Sequence, residues 1–494
     1  MNKKEKIIII SFSILLGIFM YNLFLSGFYS IDTERIDSQG YFDYAIKDAY
    51  IKDGRIFSAI IFALLGFTNL SIKTVYLTNL GISILILSIS VLEIYKILNK
   101  IKPTNNKKKI LYFIVSFLYV FNFTLIDIMQ FIDSFVINIS ILFFIKSLEK
   151  SIIYKNRKKG FLYALIAIFC YQGTVPVYIA TAFLFCLLIY KKINKKFLSD
   201  FIISMLIMSI VGILNILFVI IVPHFFELEL TSRISLSNIM KKVGDNFYNF
   251  YNIIFDCYGY FPKYLLLAFY FCIFIIILIY GIKEKKFNHV VDILSLLLVY
   301  MFSLFIMFPI ESQKNIVRIL VPIGEIFSAI YIYLICNTSI FEKNKFYKKT
   351  LTFILFLYFT INTYNTLKVT KEYKMANMID QTFAKKVETK IEEEYGKDTN
   401  EVDFTIFYRN CENINYDRIT YDKSLYLKGM YTTYMLNFYM NRNYKLTRKI
   451  YDENVILENF GVKNSKQLEM KNIDGVLYIV IDLSDSNILE WYKV

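Results

Sequence analysis

Six carboxylates, Asp32, Glu34, Asp37, Asp43, Asp48 and Asp53, fall within "IDTERIDSQGYFDYAIKDAYIKDGR", with Arg35 and Arg55 among them. Apolar runs flank this stretch on both sides. Charged groups at the edge of an apolar segment are costly and are usually functional. A carboxylate there can take a proton from a hydroxyl as a general base. Asp37 is the candidate for that role, with Glu34 and Asp32 beside it. From Gln39 to Lys52 the pattern places Tyr41, Tyr44, Ala45 and Ala49 on one helical face, with Asp43 and Asp48 nearer water. Such a helix either lies flat in a membrane interface or is an ordinary solvated surface helix.

Three further groups carry chemistry. Arg55 opens the run "GRIFSAIIFALLGF", where a guanidinium either grips a phosphate bidentately or anchors the helix end by snorkelling. In "IESQKNIVRILVPIGE", Lys314 and Arg318 lie four apart and Glu325 follows seven later, which puts all three on one helical face. The two cations suit an anionic headgroup. Glu325 calls for a partner, Arg318 or Arg55, and an internal salt bridge is the alternative use of the set. "NFTLIDIMQFID" brings Asp127 and Asp133, and "FCYQGTVP" brings Tyr171 and Gln172. These four either bind ligand hydroxyls or are polar helix ends.

The elements that must position these residues follow from composition. Of 494 residues, 56% are hydrophobic and 20% charged, against roughly 45–50% and 25% in soluble domains. The excess is concentrated in residues 1–367. A spanning helix needs about 20 apolar residues, and eleven segments qualify: 6–28, 72–97, 110–127, 131–148, 161–171, 173–190, 198–223, 263–281, 289–309, 318–338 and 349–367. Region 161–190 reads either as one tilted helix or as two broken at Gly173 and Pro176. The predicted fold is mainly α, a polytopic transmembrane bundle of about 11 helices followed by a small α/β domain over 368–494. The basic start and long first apolar stretch, with no small-residue cleavage pattern after it, predict a retained membrane anchor.

Loop charge sets the expected orientation. Loops 2–6, 96–109, 146–159, 191–200, 283–289 and 342–349 hold 26 Lys and Arg against 5 Asp and Glu, whereas loops 28–55, 127–133, 224–263 and 310–318 hold 10 against 13. The bias alternates when the Gly173 break counts as a crossing. The positive-inside rule then predicts a multi-pass protein of the cytoplasmic membrane. Its N-terminus is cytoplasmic, and the first outer loop, 28–55, and the C-terminal domain are extracytoplasmic. The formal charge of +15 is accounted for by topology and contact with membrane lipids, so nucleic acid is not an expected partner.

In the C-terminal domain, Met375, Ile379, Phe383, Val387 and Ile391 recur every four residues, one stripe of an amphipathic helix, with Gly396 as its stop. Segments 402–408 and 475–483 read as strands. No catalytic motif is visible there, which suggests packing or guidance of an acceptor. The cysteines Cys170, Cys186, Cys257, Cys272, Cys336 and Cys411 form no CxxC pair and read as small apolar residues. His224 and His289 lack paired-ligand spacing, so no zinc site is expected.

The acidic first outer loop, its flat helix and the Gly-Arg that opens "DGRIFSAIIFALLGF" together resemble the GtrII glucosyltransferase family, within the GT-C class of membrane glycosyltransferases. "YQGTVPVYIATAFLF" resembles that family's Tyr-Gln and the helix after it, and "VRILVPIG" its late Arg-x-x-x-Pro. The likeness runs over most of 1–340. One departure is that the family's acidic pair reads Asp37-Ser38 here, leaving Glu34 or Asp43 to supply a second carboxylate.

The resemblance implies transfer of a sugar, a hexose such as glucose, from a polyprenyl-phosphate donor to a surface-glycan acceptor at the outer face. The leaving group is then a lipid phosphate, with a second pKa of about 6, which departs as an anion and needs cations: Arg55, Lys314 and Arg318. The acceptor hydroxyl needs a base, Asp37. Asp127, Asp133, Tyr171, Gln172 and Glu325 would hold sugar and acceptor. No cofactor is certain; carboxylates near the phosphate could hold a divalent cation through oxygen ligands, although no loop spells a metal cage. Two other readings fit the same setting: a non-enzymatic flippase or exporter of lipid-linked glycans, and a polysaccharide polymerase or ligase.

Overall fold

A computed structural model describes residues 3–26, 31–68, 70–103, 106–225, 259–304, 321–343, 345–409, 424, 426, 433–440, 444–450, 452–461 and 468–482. The chain divides into two compact units. One comprises Met1–Tyr21 and Gln39–Lys368, the other Asn22–Ser38 and Val369–Val494.

The larger unit is helical. Each expected apolar segment falls on a helix, but fewer reach spanning length than the eleven expected. Four among the described residues are long and apolar enough to cross a membrane: Ile72–Ile101, Gln172–Tyr190, Lys195–Phe225 and Leu265–Lys283. A polar break shortens one of the others. The 110–127 segment stops at Val120, because Asn122 turns the chain by accepting bonds from the Thr124 amide and hydroxyl. The next long helix begins only at Ser134, so Asn122, Asp127, Gln130 and Asp133 sit buried between the two. Helices Asn288–Ser303 and Val321–Asn337 cover 16 and 17 of the described residues, and the 349–367 segment lies within the 51-residue helix Lys345–Tyr395. Region 161–190 resolves into two helices, Arg157–Cys170 and Val175–Tyr190, joined by a 3-10 turn at Gln172–Thr174. Pro176 occupies the first turn of the second helix, where its missing N–H costs nothing.

Burial differs sharply between these helices. Helix Gln172–Tyr190 is 83% buried across its apolar window, and Lys195–Phe225 only 22%. The latter exposes Ile202, Leu206, Ile210, Leu217 and Ile221. A contiguous apolar face of that length is unfavourable against water and matches a hydrocarbon surround.

The expected flat helix after the first loop is bent. Helix Ile31–Asp43 kinks at Gly40 (φ 81°), and a π turn follows at Tyr44–Asp48. Its faces are nonetheless as expected. Tyr44, Ala45 and Ala49 are buried, while Asp43 and Lys47 form an exposed i,i+4 pair at 3.1 Å. Tyr50 packs between Tyr44 and Phe62, at centroid separations of 5.4 and 5.0 Å, fastening this segment to helix Ile56–Leu65.

The smaller unit holds a four-stranded sheet: β1 (Glu401–Arg409), β2 (Lys445–Arg448), β3 (Leu468–Ile473) and β4 (Val476–Asp482). Strand order is β2-β1-β4-β3, with β1 parallel to both neighbours and β3 antiparallel to β4. Ile379, Phe383, Val387 and Ile391, from helix Lys345–Tyr395, pack on Val402, Phe404, Ile406, Leu477 and Ile479. Gly396 ends that helix at φ +87°, as its left-handed freedom allows.

Candidate functional site

The turn Asp53–Arg55 closes the opening acidic stretch. Gly54 sits at φ +71°, and a Cβ there would come within 2.6 Å of Val219 Cγ2 and 2.9 Å of Asn215 Nδ2. Glycine is therefore required twice, by conformation and by space. Two side chains clamp the turn: Gln172 Nε2 donates to the Asp53 carbonyl, and Asn215 Nδ2 donates to the Gly54 carbonyl at 2.8 Å. The clamps are themselves joined, with Gln172 Nε2 3.1 Å from Asn215 Oδ1.

This clamp aims Arg55 at two carboxylates and a ring. Its Nη2 lies 3.3 Å from Asp53 Oδ2 and its Nη1 3.9 Å from Asp133 Oδ2. The guanidinium carbon stands 4.7 Å from the Tyr171 ring centroid, within cation–π range. All three ionic side chains are at most 18% exposed, so the pairing is only weakly screened. Burial works against the Arg55 charge, but Asp53, Tyr171 and Asp133 more than offset it and hold the guanidinium above its ordinary range. Arg55 Nε has no hydrogen-bond partner among the described residues. The Tyr171 backbone is pinned in turn, its carbonyl accepting from the Ser140 and Thr174 hydroxyls.

The structure thus brings together Arg55, Asp133, Tyr171 and Gln172 of the sequence candidates, and adds Asp53 and Asn215. Two carboxylates on one guanidinium leave the cluster with a formal charge of −1 when all three groups are ionised. Arg55 is engaged, and a phosphate binding there would have to compete with Asp53 and Asp133. The carboxylate oxygens can accept hydroxyl hydrogens, while Nε remains a free donor.

The remaining candidates lie elsewhere. Asp127 accepts from Gln130 Nε2 at 2.6 Å and from the Tyr260 hydroxyl at 2.8 Å. Glu325 is 1% exposed, and its Oε2 has no hydrogen-bond partner among the described residues. The phenols of Tyr119 and Tyr300 lie within its electrostatic reach; they stand 2.9 Å from each other, and Tyr119 is 2.7 Å from the Thr181 hydroxyl. Lys314 and Arg318 lie outside the described residues. Asp32, Glu34 and Asp37 lie on helix Ile31–Asp43 within the smaller unit, and their side chains lie outside the described residues. Among the described residues, no three His, Cys, Asp or Glu side chains gather so as to hold a metal ion.

Sequence reasoning passed over Asn215, Tyr119, Tyr300 and Tyr260. Asn215 carried a usable signal, a lone amide inside "IVGILNILFVII", since a polar side chain within so apolar a run needs a partner. No family model, curated protein or solved structure matches this chain.

Proposed function

We propose that this chain is an integral-membrane glycosyltransferase that moves a hexose such as glucose from a polyprenyl-phosphate donor to a glycan acceptor at the outer face. The observation that carries the reading is the buried Asp53–Arg55–Asp133 cluster against Tyr171, held by polar clamps in a bundle with a large apolar exterior. In this reading Asp53 and Asp133 accept hydroxyl hydrogens of the bound sugar, and Arg55 orients both carboxylates. A base, for which the sequence offers Asp37, takes the proton from the acceptor hydroxyl as its oxygen bonds to the anomeric carbon. The carbon–oxygen bond to phosphate breaks on the opposite side, inverting the centre, and lipid phosphate leaves with the bonding pair. Lys314 and Arg318 are the proposed phosphate-holding cations. The extracytoplasmic placing of this site rests on the alternating loop charges.

The test is transfer of labelled glucose from polyprenyl-phosphate glucose by the full-length protein in liposomes. A new glycosidic bond with stoichiometric release of polyprenyl phosphate, lost in both Asp37→Asn and Arg55→Gln, supports the reading. Transfer that survives Asp37→Asn would remove the proposed base.

A second reading has its own support in Glu325. A buried carboxylate with an open oxygen, near a pair of bonded phenols, resembles the proton-relay chemistry of transporters and favours a flippase or exporter. Movement of lipid-linked glycan across the liposome membrane with no new glycosidic bond would establish it.

A further inference from the structure

The ends of two helices meet in a basic groove that shares no residue with the Arg55 cluster. Helix Arg157–Cys170 starts with Arg157 and Lys158, and helix Lys195–Phe225 starts with Lys195 and Lys196. With Lys155, these residues line a cavity of about 780 Å³. The one carboxylate in its lining, Asp200, is already engaged, accepting from Lys155 Nζ and from the Tyr190 hydroxyl. Arg157, Lys158, Lys195 and Lys196 have no ion-pair partner among the described residues, since the Asp200 pair is with Lys155.

This arrangement runs against helix electrostatics. A helix N-terminus carries about half a positive charge, which favours anions and disfavours Lys and Arg in the first turn. Here four unpaired cations crowd two such ends around one cavity. Positive-inside bias accounts for cations in these loops, but not for their convergence on a shared concavity at two positive helix ends. A bound anion resolves the conflict.

An apolar track leads away from the groove. Leu198, Ile202 and Leu206 follow at four-residue intervals and are 46, 53 and 54% exposed, a stripe fit for an acyl chain. We propose that the groove binds a phosphate-bearing anion, the headgroup of an anionic membrane lipid whose chain lies along this stripe. Basic pockets between helix ends on the cytoplasmic side are suited to such headgroups.

The test measures binding of phosphatidylglycerol, phosphatidylcholine and inorganic phosphate to the purified full-length protein in detergent by native mass spectrometry. The variant combines Arg157→Gln, Lys158→Gln, Lys195→Gln and Lys196→Gln; a control with the same charge loss combines Lys285→Gln, Lys345→Gln, Lys348→Gln and Lys349→Gln. Phosphatidylglycerol is expected to bind at least about tenfold more tightly than phosphatidylcholine, with the preference lost in the variant and kept in the control. Should the fourfold variant fail to fold, the pair Lys195→Gln and Lys196→Gln alone is expected to weaken phosphatidylglycerol binding about tenfold. Equal binding of the two lipids, or equal loss in variant and control, would overturn the proposal. Variant-sensitive binding of inorganic phosphate with no preference between the lipids would overturn the lipid source.

Discussion

Asn215 reaches across 161 positions of sequence to donate a 2.8 Å hydrogen bond to the carbonyl of Gly54. That bond ties the least buried of the four described spanning-length helices to the turn that aims Arg55. Two consequences follow for Gly54. Alanine there must adopt φ +71° and meets Val219 and Asn215 at less than 3 Å. Gly54→Ala is therefore expected to cost about 2 kcal/mol or more, from backbone strain and overpacking together. Thermal unfolding in detergent checks this. Adding Val219→Ala should recover only the packing part, because the dihedral is untouched.

Arg55 and its carboxylates form a buried ionic unit whose parts do not act alone. Arg55→Met removes the guanidinium that both Asp53 and Asp133 contact, and loss of one partner from such a buried pair costs about 3–5 kcal/mol. Asp133→Asn should cost less, because its 3.9 Å contact is the longer of the two. In the double variant Arg55→Met with Asp133→Asn, the penalties should fall short of additive, since both substitutions remove the same Arg55–Asp133 contact. Strict additivity in the thermal midpoints would show that the two side chains are not coupled.

Much of the architecture is legible from local pattern, and the cluster is not. The stripe from Ile379 to Ile391 and the Gly396 stop depend on neighbours within a few residues, so periodicity and backbone preference disclose them, whereas region 161–190 reads equally as one helix or two. The use of Arg55 depends on Asp133, Gln172 and Asn215, which only tertiary packing brings near. The sequence leaves Arg55 between a phosphate ligand, a snorkelling anchor and a partner for Glu325, because its nearest carboxylate, Asp53, looks like one acid among six. Span lengths were overestimated for a similar reason. Apolar composition continues past Val120, but the side chain of Asn122 turns the backbone there.

The exposed face of helix Lys195–Phe225 gives a direct test of the hydrocarbon surround. Ile210 lies near its middle and is 49% exposed. An aspartate at the centre of a spanning helix costs about 2.5–3.5 kcal/mol in insertion. Ile210→Asp should therefore reduce recovery in the membrane fraction, while Ile210→Ala leaves it near the wild-type level. Equal recovery of both variants would contradict lipid contact at this face.

The Lys155–Asp200 pair yields a pH dependence. Burial lowers the affinity of Lys155 for its proton, but the hydrogen bond to Asp200 and the carboxylate charge outweigh it, so the lysine is held above its ordinary value. A raised lysine contributes stability in full below the unfolded value, about 10.4, and loses it as pH climbs through the folded one. Wild type and Lys155→Met should therefore differ in thermal midpoint at neutral pH and converge in strongly alkaline buffer. A gap that widens with alkalinity would reverse the assigned sign.

Glu325 separates the two functional readings because its charge has no evident structural return. Its Oε2 is buried without a hydrogen-bond partner among the described residues, and an ionised carboxylate in that position carries a desolvation cost that an amide avoids. Glu325→Gln preserves shape and is expected to leave the thermal midpoint unchanged or raise it. If the protein is a transferase that holds its sugar through the Arg55 cluster, the variant should keep most of its glycosidic-bond formation in liposomes. If the carboxylate relays protons through the Tyr119–Tyr300 pair, the variant should instead lose movement of lipid-linked glycan while folding normally. A stable protein with transfer intact favours the enzyme, and a stable protein with translocation abolished favours the exporter.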